Sequence, residues 1–568
     1  LFFIMKALEW SIESEFKDRI NSNPDRNYDI TYSDLDLHTF FKGVTLDEVR
    51  IEPLNPGKGT LITGRVDYAT LKGIVWTEFF LGKKLNLNEI AFEQPIFEVT
   101  LSADTTNTDT TKSKSGTGLQ RMFGDILSRA DLKRFHIQNG SIVINDPVSQ
   151  AVKGQVKQIN ISATDIETDS LKFDHLIPFS LGDINIDLDG ITYKPNDYTE
   201  IKLGHFHYNL QEKEILLNDI SMGYSMDWIE VSKILGVQND IIELNVQEIG
   251  IHQFEPSSRF YTDLDIEAQR ISIDELNIKL QRNKNIPRPP DVVKPMFQGI
   301  ISAIPMAILI DSIQISNSSL TYSELEPEKS EPGSIKIQEI NGTITGITNM
   351  PAEETNKGQL EATLSASLMG KAGINIGLSV PYDSESFALR VDVAEMNLTS
   401  LNPTLIPLAG VEMGSGQMKK IQFHMNAGPN QSQNKLVFDY ENLNVIMINE
   451  ESKHGSNKKV LLSAIANTAI RTNNIPDKHN YLVAEYQSQR NIYRSPVNYI
   501  IHGLVSGFTR IVPGKTVQKF INKEDKKGKK KKGPCLLYTS DAADEYQRGL
   551  VAGGGGGGVG GGGGGGGG

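Results

Sequence analysis

"FHIQNGSIVIND" (135–146) has a close relative in "IQISNSSLTYSE" (313–324), and the first copy places Phe135, Ile137, Ile142 and Ile144 in two short alternating runs around Asn139-Gly140-Ser141. Alternation with period two sends successive side chains to opposite faces of a sheet. Asn-Gly is a favoured tight-turn dipeptide because both positions tolerate positive φ. The stretch therefore predicts strand, turn, strand. Asn139-Gly140-Ser141 and Asn317-Ser318-Ser319 also fit glycosylation acceptors, a reading that matters only in a eukaryotic secretory protein; turn chemistry accounts for both.

The copying extends outward. Met122-Phe123 with Ile126-Leu127-Ser128 recurs as Met296-Phe297 with Ile300-Ile301-Ser302, and Val156-Lys157-Gln158-Ile159-Asn160 is answered by Ile337-Gln338-Glu339-Ile340-Asn341, so the offsets are 174, 178 and 181 residues. "LNLNEIAFEQPIFEVTL" (85–101) is a weaker copy. Stacked β modules look like this in sequence. Period-two patterning dominates elsewhere too. In "DINIDLDGITY" (183–193) Ile184, Ile186 and Leu188 share one face, while Asp183, Asn185, Asp187 and Asp189 share the other. "INIGLSV" (374–380) repeats the pattern with Ile374, Ile376 and Leu378. Such a sheet is dry on one side and wet on the other. Helical patterns that could cover the dry side are few: 118–130, 292–305 and 498–512.

With 568 residues, 38% hydrophobic and 22% charged, the chain falls among folded proteins. From Cys535 onward the sequence reads as a translated sequencing adapter followed by poly-Gly, an artefact to set aside. Without 535–568 the net charge moves from −13 to −11, and the single cysteine goes. A disulfide framework and a cysteine nucleophile are then excluded. The acidic balance argues against nucleic acid, whose binders carry a basic stripe. At the other end, "LFFIM" runs into a segment where Leu8, Ile12, Phe16 and Ile20 recur at helical spacing. A membrane span needs roughly 20 apolar residues, so this end reads as a cropped transmembrane helix continuing into an amphipathic one, with Phe2, Phe3, Ile4, Leu8 and Ile12 as the anchor; the alternative is an ordinary N-terminal core helix. Six lysines within 526–532 suit a solvated tail or attraction to anionic lipid.

A search for chemistry returns little. There is no His-Glu-x-x-His, no nucleophile elbow and no dinucleotide fingerprint. "PGKT" (513–516) fails as a phosphate loop because Thr509 stands where the first glycine is required. His205 and His207 share a strand face and could bind a metal if a third ligand approached from a neighbour, but nothing in the sequence names that ligand. Hydrogen-bonded histidines are therefore expected, with no catalytic residues, no metal and no cofactor.

"MNLTSLNPTLIPLAGVEMGSGQMKKIQFHMNAG" (396–428) followed by "LVFDYENLNVIMI" (436–448) resembles the C-terminal segment of AsmA-like proteins of Gram-negative, Bacteroidota-type bacteria, part of the wider AsmA/TamB group. The matching features are Leu401-Asn402-Pro403, a Gly416 turn leading into Met418, Ile421 and Phe423, and Tyr440 with Asn442-Leu443. "ITYSDLDLHTFFKGVTLDEVRIEPL" (30–54) and "LGKKLNLNEIAFEQPIFEV" (81–99) resemble the family's opening modules. The resemblance implies a mainly β fold: elongated, repeated antiparallel β modules curling into an open hydrophobic groove, with the N-terminal helix and a few short helices. It also implies an inner-membrane anchor, a periplasmic body and movement of phospholipid between the two membranes. Ile137, Ile142, Ile144, Ile184, Ile186, Leu188, Ile374, Ile376 and Leu378 would line the groove, although a closed sandwich core would use the same positions. An acyl chain of roughly 16 carbons bared to water is destabilised by about 12 kcal/mol, which a dry trough would remove. Phospholipid and the inner membrane are the expected partners, with outer-membrane or periplasmic proteins beside them. The alternative is a scaffold for outer-membrane protein assembly.

The expected organisation is an anchor and amphipathic helix (1–24), an N-terminal β module (29–117), a first repeated helix-plus-β module (118–290) and a second with the AsmA-like segment (291–450). A β/helix segment (451–521), the Lys-rich tail (522–534) and the artefact (535–568) follow.

Overall fold

Period-two patterning becomes strand almost wherever it occurs. The computed structural model describes residues 2–21, 26–38, 42–54, 61–81, 85–100, 130–166, 182–254, 266–327, 329–351, 355, 357–448, 470–476 and 478–514. The helix expected over 118–130 lies outside these residues but for Ala130, which begins a strand, and so do the Lys-rich tail and the segment 535–568.

Among the described residues, 23 strands join one sheet. It opens with β1 (Tyr28–Thr31) and β2 (Asp34–Leu37) end to end on β3 (Gly43–Pro53), followed by β4 (Leu61–Lys72). Next come β5 (Leu85–Glu93) and β6 (Ile96–Thr100), then β7 (Ala130–Asn145), β8 (Val152–Thr164), β9 (Asp183–Tyr193), β10 (Thr199–Asn209), β11 (Glu214–Tyr224) and β12 (Asp240–Phe254). β13 (Ile266–Asp274) and β14 (Asn277–Asn283) share the next row. The sheet continues through β15 (Ile308–Leu325), β16 (Gly333–Thr348), β17 (Gln359–Leu368), β18 (Ala372–Pro381), β19 (Phe387–Val393) with β20 (Met396–Asn397), β21 (Val411–Ala427), β22 (Gln431–Met447) and β23 (Ala484–Gln489). Each row pairs with the next along the chain.

The expectation of an antiparallel sheet needs correcting. β5 and β6 run parallel to β7, and β13 and β14 run parallel to β15; all other pairings are antiparallel. A parallel neighbour cannot be reached by a hairpin and needs a crossover; residues 101–129 and 284–307 supply the connections. The two parallel junctions sit at equivalent places in the copied unit, since β5, β6, β7 and β8 correspond to β13, β14, β15 and β16.

A second correction concerns the opening motif. Asn139 does not turn the chain back; β7 is one strand from Ala130 to Asn145 in which Asn139 alone takes φ 52°. Asn317 does the same in β15 at φ 49°. A tight hairpin of the Asn-Gly kind needs positive φ at both central residues, whereas one left-handed residue makes a bulge that kinks the strand and lets it continue. Gly416, expected as a turn, likewise lies inside β21. Comparable residues recur along the sheet: Glu48, Gln94, Gly190, Asp219, Glu275, Glu339 and Asn442 all have positive φ. They form a seam across the strands. At the seam the apolar phase slips by one residue, so Phe135 and Ile137 precede it with odd numbers and Ile142 and Ile144 follow with even ones, on the same side of the sheet. The Asn160 carboxamide oxygen accepts from the Asn139 amide at 2.9 Å, Asn341 from Asn317 at 3.0 Å and Asn473 from Asn442 at 3.0 Å. A hydrogen bond that the kinked backbone cannot give to its neighbour is thus met by an asparagine each time.

Two longer helices, α1 (Phe2–Ile20) and α6 (Pro496–Ile511), lie at the ends, with short ones between: α2 (Trp76–Phe80), α3 (Trp228–Leu235), α4 (Phe297–Ser302) and α5 (Asn402–Ala409). α3 starts where the Asp227 carboxylate accepts from the Ile229 amide and stops at Gly236 with φ 71°. Ser495 caps α6, with Pro496 in its first turn. The apolar core is divided. One cluster gathers β1–β10 and Phe254 of β12 with Ile12 and Phe16 of α1 and Phe79 of α2, a second gathers β18–β23 with Tyr499 and Ile511 of α6, and two small ones form around Trp228 of α3 and around Ile308 and Ile310 of β15.

Candidate functional site

Directly paired residues in adjacent strands point to the same side of a sheet, so registers can be followed across the molecule. One row runs Leu35, Leu46, Ala69, Phe92, Ile137 and Ile161. It continues through Ile186, Tyr208, Ile215, Ile251, Ile271 and Ile313. Ile344, Ala362, Leu378, Leu389 and Met425 complete it. Every member is apolar. On the other side of the seam a second row links Ile62, Val99, Ile144, Gly154, Tyr193 and Ile201. Met222, Leu244, Ile278, Leu320, Ile337, Leu368 and Ala372 follow. Sequence alternation identifies apolar faces strand by strand; only register shows that they join.

Burial varies along these rows. Leu35, Leu46 and Ile137 are 1–2% exposed, as is Met425 at the far end, whereas Ile161, Ile186, Ile215, Ile251, Ile271, Ile313 and Ile344 between them are half-buried. In the second row Ile62 and Ala372 are each 1% exposed, but Tyr193 is 41% exposed. The ends are covered by helices; between them cover is sparser, with Tyr208 buried at 6% against the Phe254 ring and Ile301 of α4 and Met306 packed in a small cluster with Ile271, Ile313 and Ile344.

All nine residues expected to line a groove lie on this side. Ile137 and Ile184 belong to the first core cluster and Ile374 to the second, while Ile142, Ile144, Ile186, Leu188, Ile376 and Leu378 are half-buried beside them. Of the expected anchor residues, Phe2, Phe3, Ile4 and Leu8 fall in α1, but their side chains lie outside the described residues. Ile12 is 1% exposed and packs in the first core cluster with Phe16, whose ring sits 5.1 Å from that of Phe79. No helix among the described residues is long and apolar enough to cross a membrane.

Sequence reasoning missed the charged margin of the apolar side. Past Leu280 and Tyr322 the same face ends in a directly paired row of Asp240, Arg282 and Glu324. Arg282 donates to both Asp240 oxygens at 2.8 Å, and Lys284 lies 2.7 Å from Glu324 and 2.8 Å from Glu326. Burial acts to raise the Glu324 carboxyl, yet the Lys284 ammonium holds it below its ordinary value. Burial, together with Glu324, leaves Glu326 raised. The Tyr322 hydroxyl donates to Glu324 at 2.6 Å and is pushed up by burial. The signal in sequence was "LTYSELE" beside "KLQRNK", but it becomes a cluster only once the parallel register is known.

A comparison with protein-family models and with curated proteins finds no match for the chain.

Proposed function

We propose that this chain is an inner-membrane-anchored periplasmic protein that carries phospholipid acyl chains along the apolar side of its sheet, between the inner and outer membranes. The observation that carries the reading is the pair of unbroken apolar rows, buried at both ends and mostly half-buried between. A sheet face of this kind lowers the free energy of an extended hydrocarbon wherever the chain sits, because each buried methylene contributes about 0.8 kcal/mol. A conduit needs this flatness. The seam supports it: a bulged strand bends, and bends aligned from strand to strand would curve the apolar face toward a groove. The charged margin at Asp240, Arg282, Lys284 and Glu324 gives an amphiphile polar company next to its tail. The resemblance to AsmA-like proteins points the same way.

The test is to purify the chain without detergent from a Gram-negative host and extract it for lipid mass spectrometry. Phospholipid should co-purify at one or more molecules per chain. In the double substitution Ile215→Asp and Ile251→Asp, which sets two carboxylates opposite each other mid-row, occupancy should fall at least tenfold, since an ionised group against hydrocarbon is strongly unfavourable. Ile186→Ala alone should leave it nearly unchanged. Lipid-free protein with native strand content would overturn the proposal.

A second reading, a scaffold for outer-membrane protein assembly, is favoured by one observation: β23 pairs with β22 alone among the described strands. Such an edge can template another strand. Photo-crosslinks from Gln487 to β-barrel precursors, with no lipid recovered, would select it.

A further inference from the structure

We propose that Asp187, His205 and His207 form a binding site for a divalent transition-metal ion of the zinc class, built across the β9–β10 hairpin on the polar side of the sheet. The site is independent of the lipid reading, because these side chains point away from Ile186, Leu188 and Phe206.

The backbone fixes the three residues. His207 is directly paired with Asp187, and His205 stands two residues away on the same face. Their ring planes lie 14° apart with centroids separated by 6.4 Å. One ligand atom from each of the three can be chosen so that all lie within 4.8 Å of one another. Asp187 Oδ1 is 3.9 Å from His205 Nε2 and 2.7 Å from His207 Nδ1. Donors around a tetrahedral zinc, at bond lengths near 2.0–2.2 Å, are separated by roughly 3.4 Å. The first distance already suits an intervening ion. The second must open by about 0.7 Å: His207 takes the tautomer with its proton on Nε2, which frees the Nδ1 lone pair, and the hydrogen bond to Asp187 is exchanged for two metal bonds.

The surrounding groups favour this over a plain hydrogen-bond ladder. Asp189 Oδ1 lies 2.8 Å from His205 Nδ1, which fixes the proton there and turns the Nε2 lone pair toward Asp187. A carboxylate behind a histidine ligand is the usual outer support of a zinc site. Asn185 Nδ2 donates to Asp187 Oδ2 at 2.6 Å, so Oδ1 is the oxygen directed at the histidines. Two imidazoles and one carboxylate suit zinc, cobalt, nickel or copper rather than magnesium or calcium, which prefer all-oxygen shells. His205, with its side chain 38% exposed, leaves room for a water or small anion at a fourth position. In sequence the histidine pair lacked its third member because Asp187 comes 18 residues earlier; only the hairpin register sets it opposite His207.

The experiment is calorimetric titration of the full chain, prepared without an affinity tag, with zinc chloride, and with magnesium and calcium chloride as controls. Wild type should bind one more zinc ion per chain than His205→Ala/His207→Ala, and neither control cation should compete. Asp187→Asn should lose the same ion while keeping the polar contacts of the hairpin, which guards against a double variant that folds poorly. Asp189→Asn should keep the stoichiometry and weaken affinity 10- to 100-fold, as expected for a supporting partner. If Asp187→Asn and the histidine variant bind zinc with wild-type stoichiometry and affinity, or wild type binds none at about 0.1 mM, the assignment is wrong.

Discussion

Asn139 shows how much a single residue decides. Its left-handed backbone is disfavoured by roughly 1–2 kcal/mol for a residue with a bulky Cβ, and asparagine tolerates it through local hydrogen bonding. Asn139→Val should lower stability by about that amount, and Asn139→Gly should be close to neutral, as read from urea midpoints by circular dichroism. Asn160→Ala, which strips the acceptor from the Asn139 amide, should cost about 1 kcal/mol. Asp146 governs the next turn. Its carboxylate accepts from the Ser149 amide at 2.9 Å and the Val148 amide at 3.0 Å, with Lys153 at 3.1 Å, and these partners hold it well below the usual carboxylate range. A carboxyl depressed on folding contributes stability above its unfolded value, near 3.8, and loses it as pH falls further. Amide exchange across 146–151 should therefore accelerate below about pH 3 after correction for intrinsic rates, and Asp146→Asn should remove that step. The sequence marks Asn139 and Asn317 as special positions, but it does not distinguish a turn from a kink, because both call for the same residue at the left-handed site. The deciding information is Gly140, which lies in the strand and would, with any side chain, meet Ile137 at 2.9 Å and Pro95 at 3.0 Å.

Among the elements, the helices were legible in kind and less so in extent. The pattern over 292–305 yields only Phe297–Ser302 as helix, because Pro295 and Pro305 bound it. Its more telling residue is Gln298, 8% exposed, whose Nε2 reaches the carbonyls of Pro381, Ser384 and Ser386 at 2.9, 2.8 and 2.6 Å. The crossover before β15 is thereby fastened to the β18–β19 turn. Gln298→Leu should cost about 1–3 kcal/mol by leaving those carbonyls without their donor, with exchange rising first in 381–387. The closing helix α6 lies against the sheet through its glycines. A Cβ at Gly507 would sit 2.5 Å from Tyr486 Oη and 2.6 Å from Leu436 Cδ2, while one at Gly503 would meet nothing nearer than 3.4 Å. Gly507→Val should lift α6 and lose about 1–3 kcal/mol through overpacking. Gly503→Ala should be tolerated, and the contrast in melting temperature checks both.

At the scale of the molecule, the copied units run on into one continuous sheet among the described residues. Alternation was enough to place Ile186, Leu188 and Ile376 on an apolar side. It could not reveal that β6 pairs with β7 and β14 with β15, since strand neighbours separated by a crossover leave no local trace. Lipid occupancy should act on the half-buried middle. Amide exchange in β9–β16 should slow by at least severalfold on adding phospholipid, while the already covered β21–β22 should change little. Equal slowing at both would point to general stabilisation rather than a groove.

Because four of the 23 described strands share a row with the one before, the sheet they form has 19 rows, and at roughly 4.8 Å per row it would extend on the order of 85 Å if flat. Each inner row holds hands with two others and the two outermost rows with one, so the architecture resembles a zip fastener rather than a ball. Pulled from its extremities, such a zip would part tooth by tooth rather than all at once.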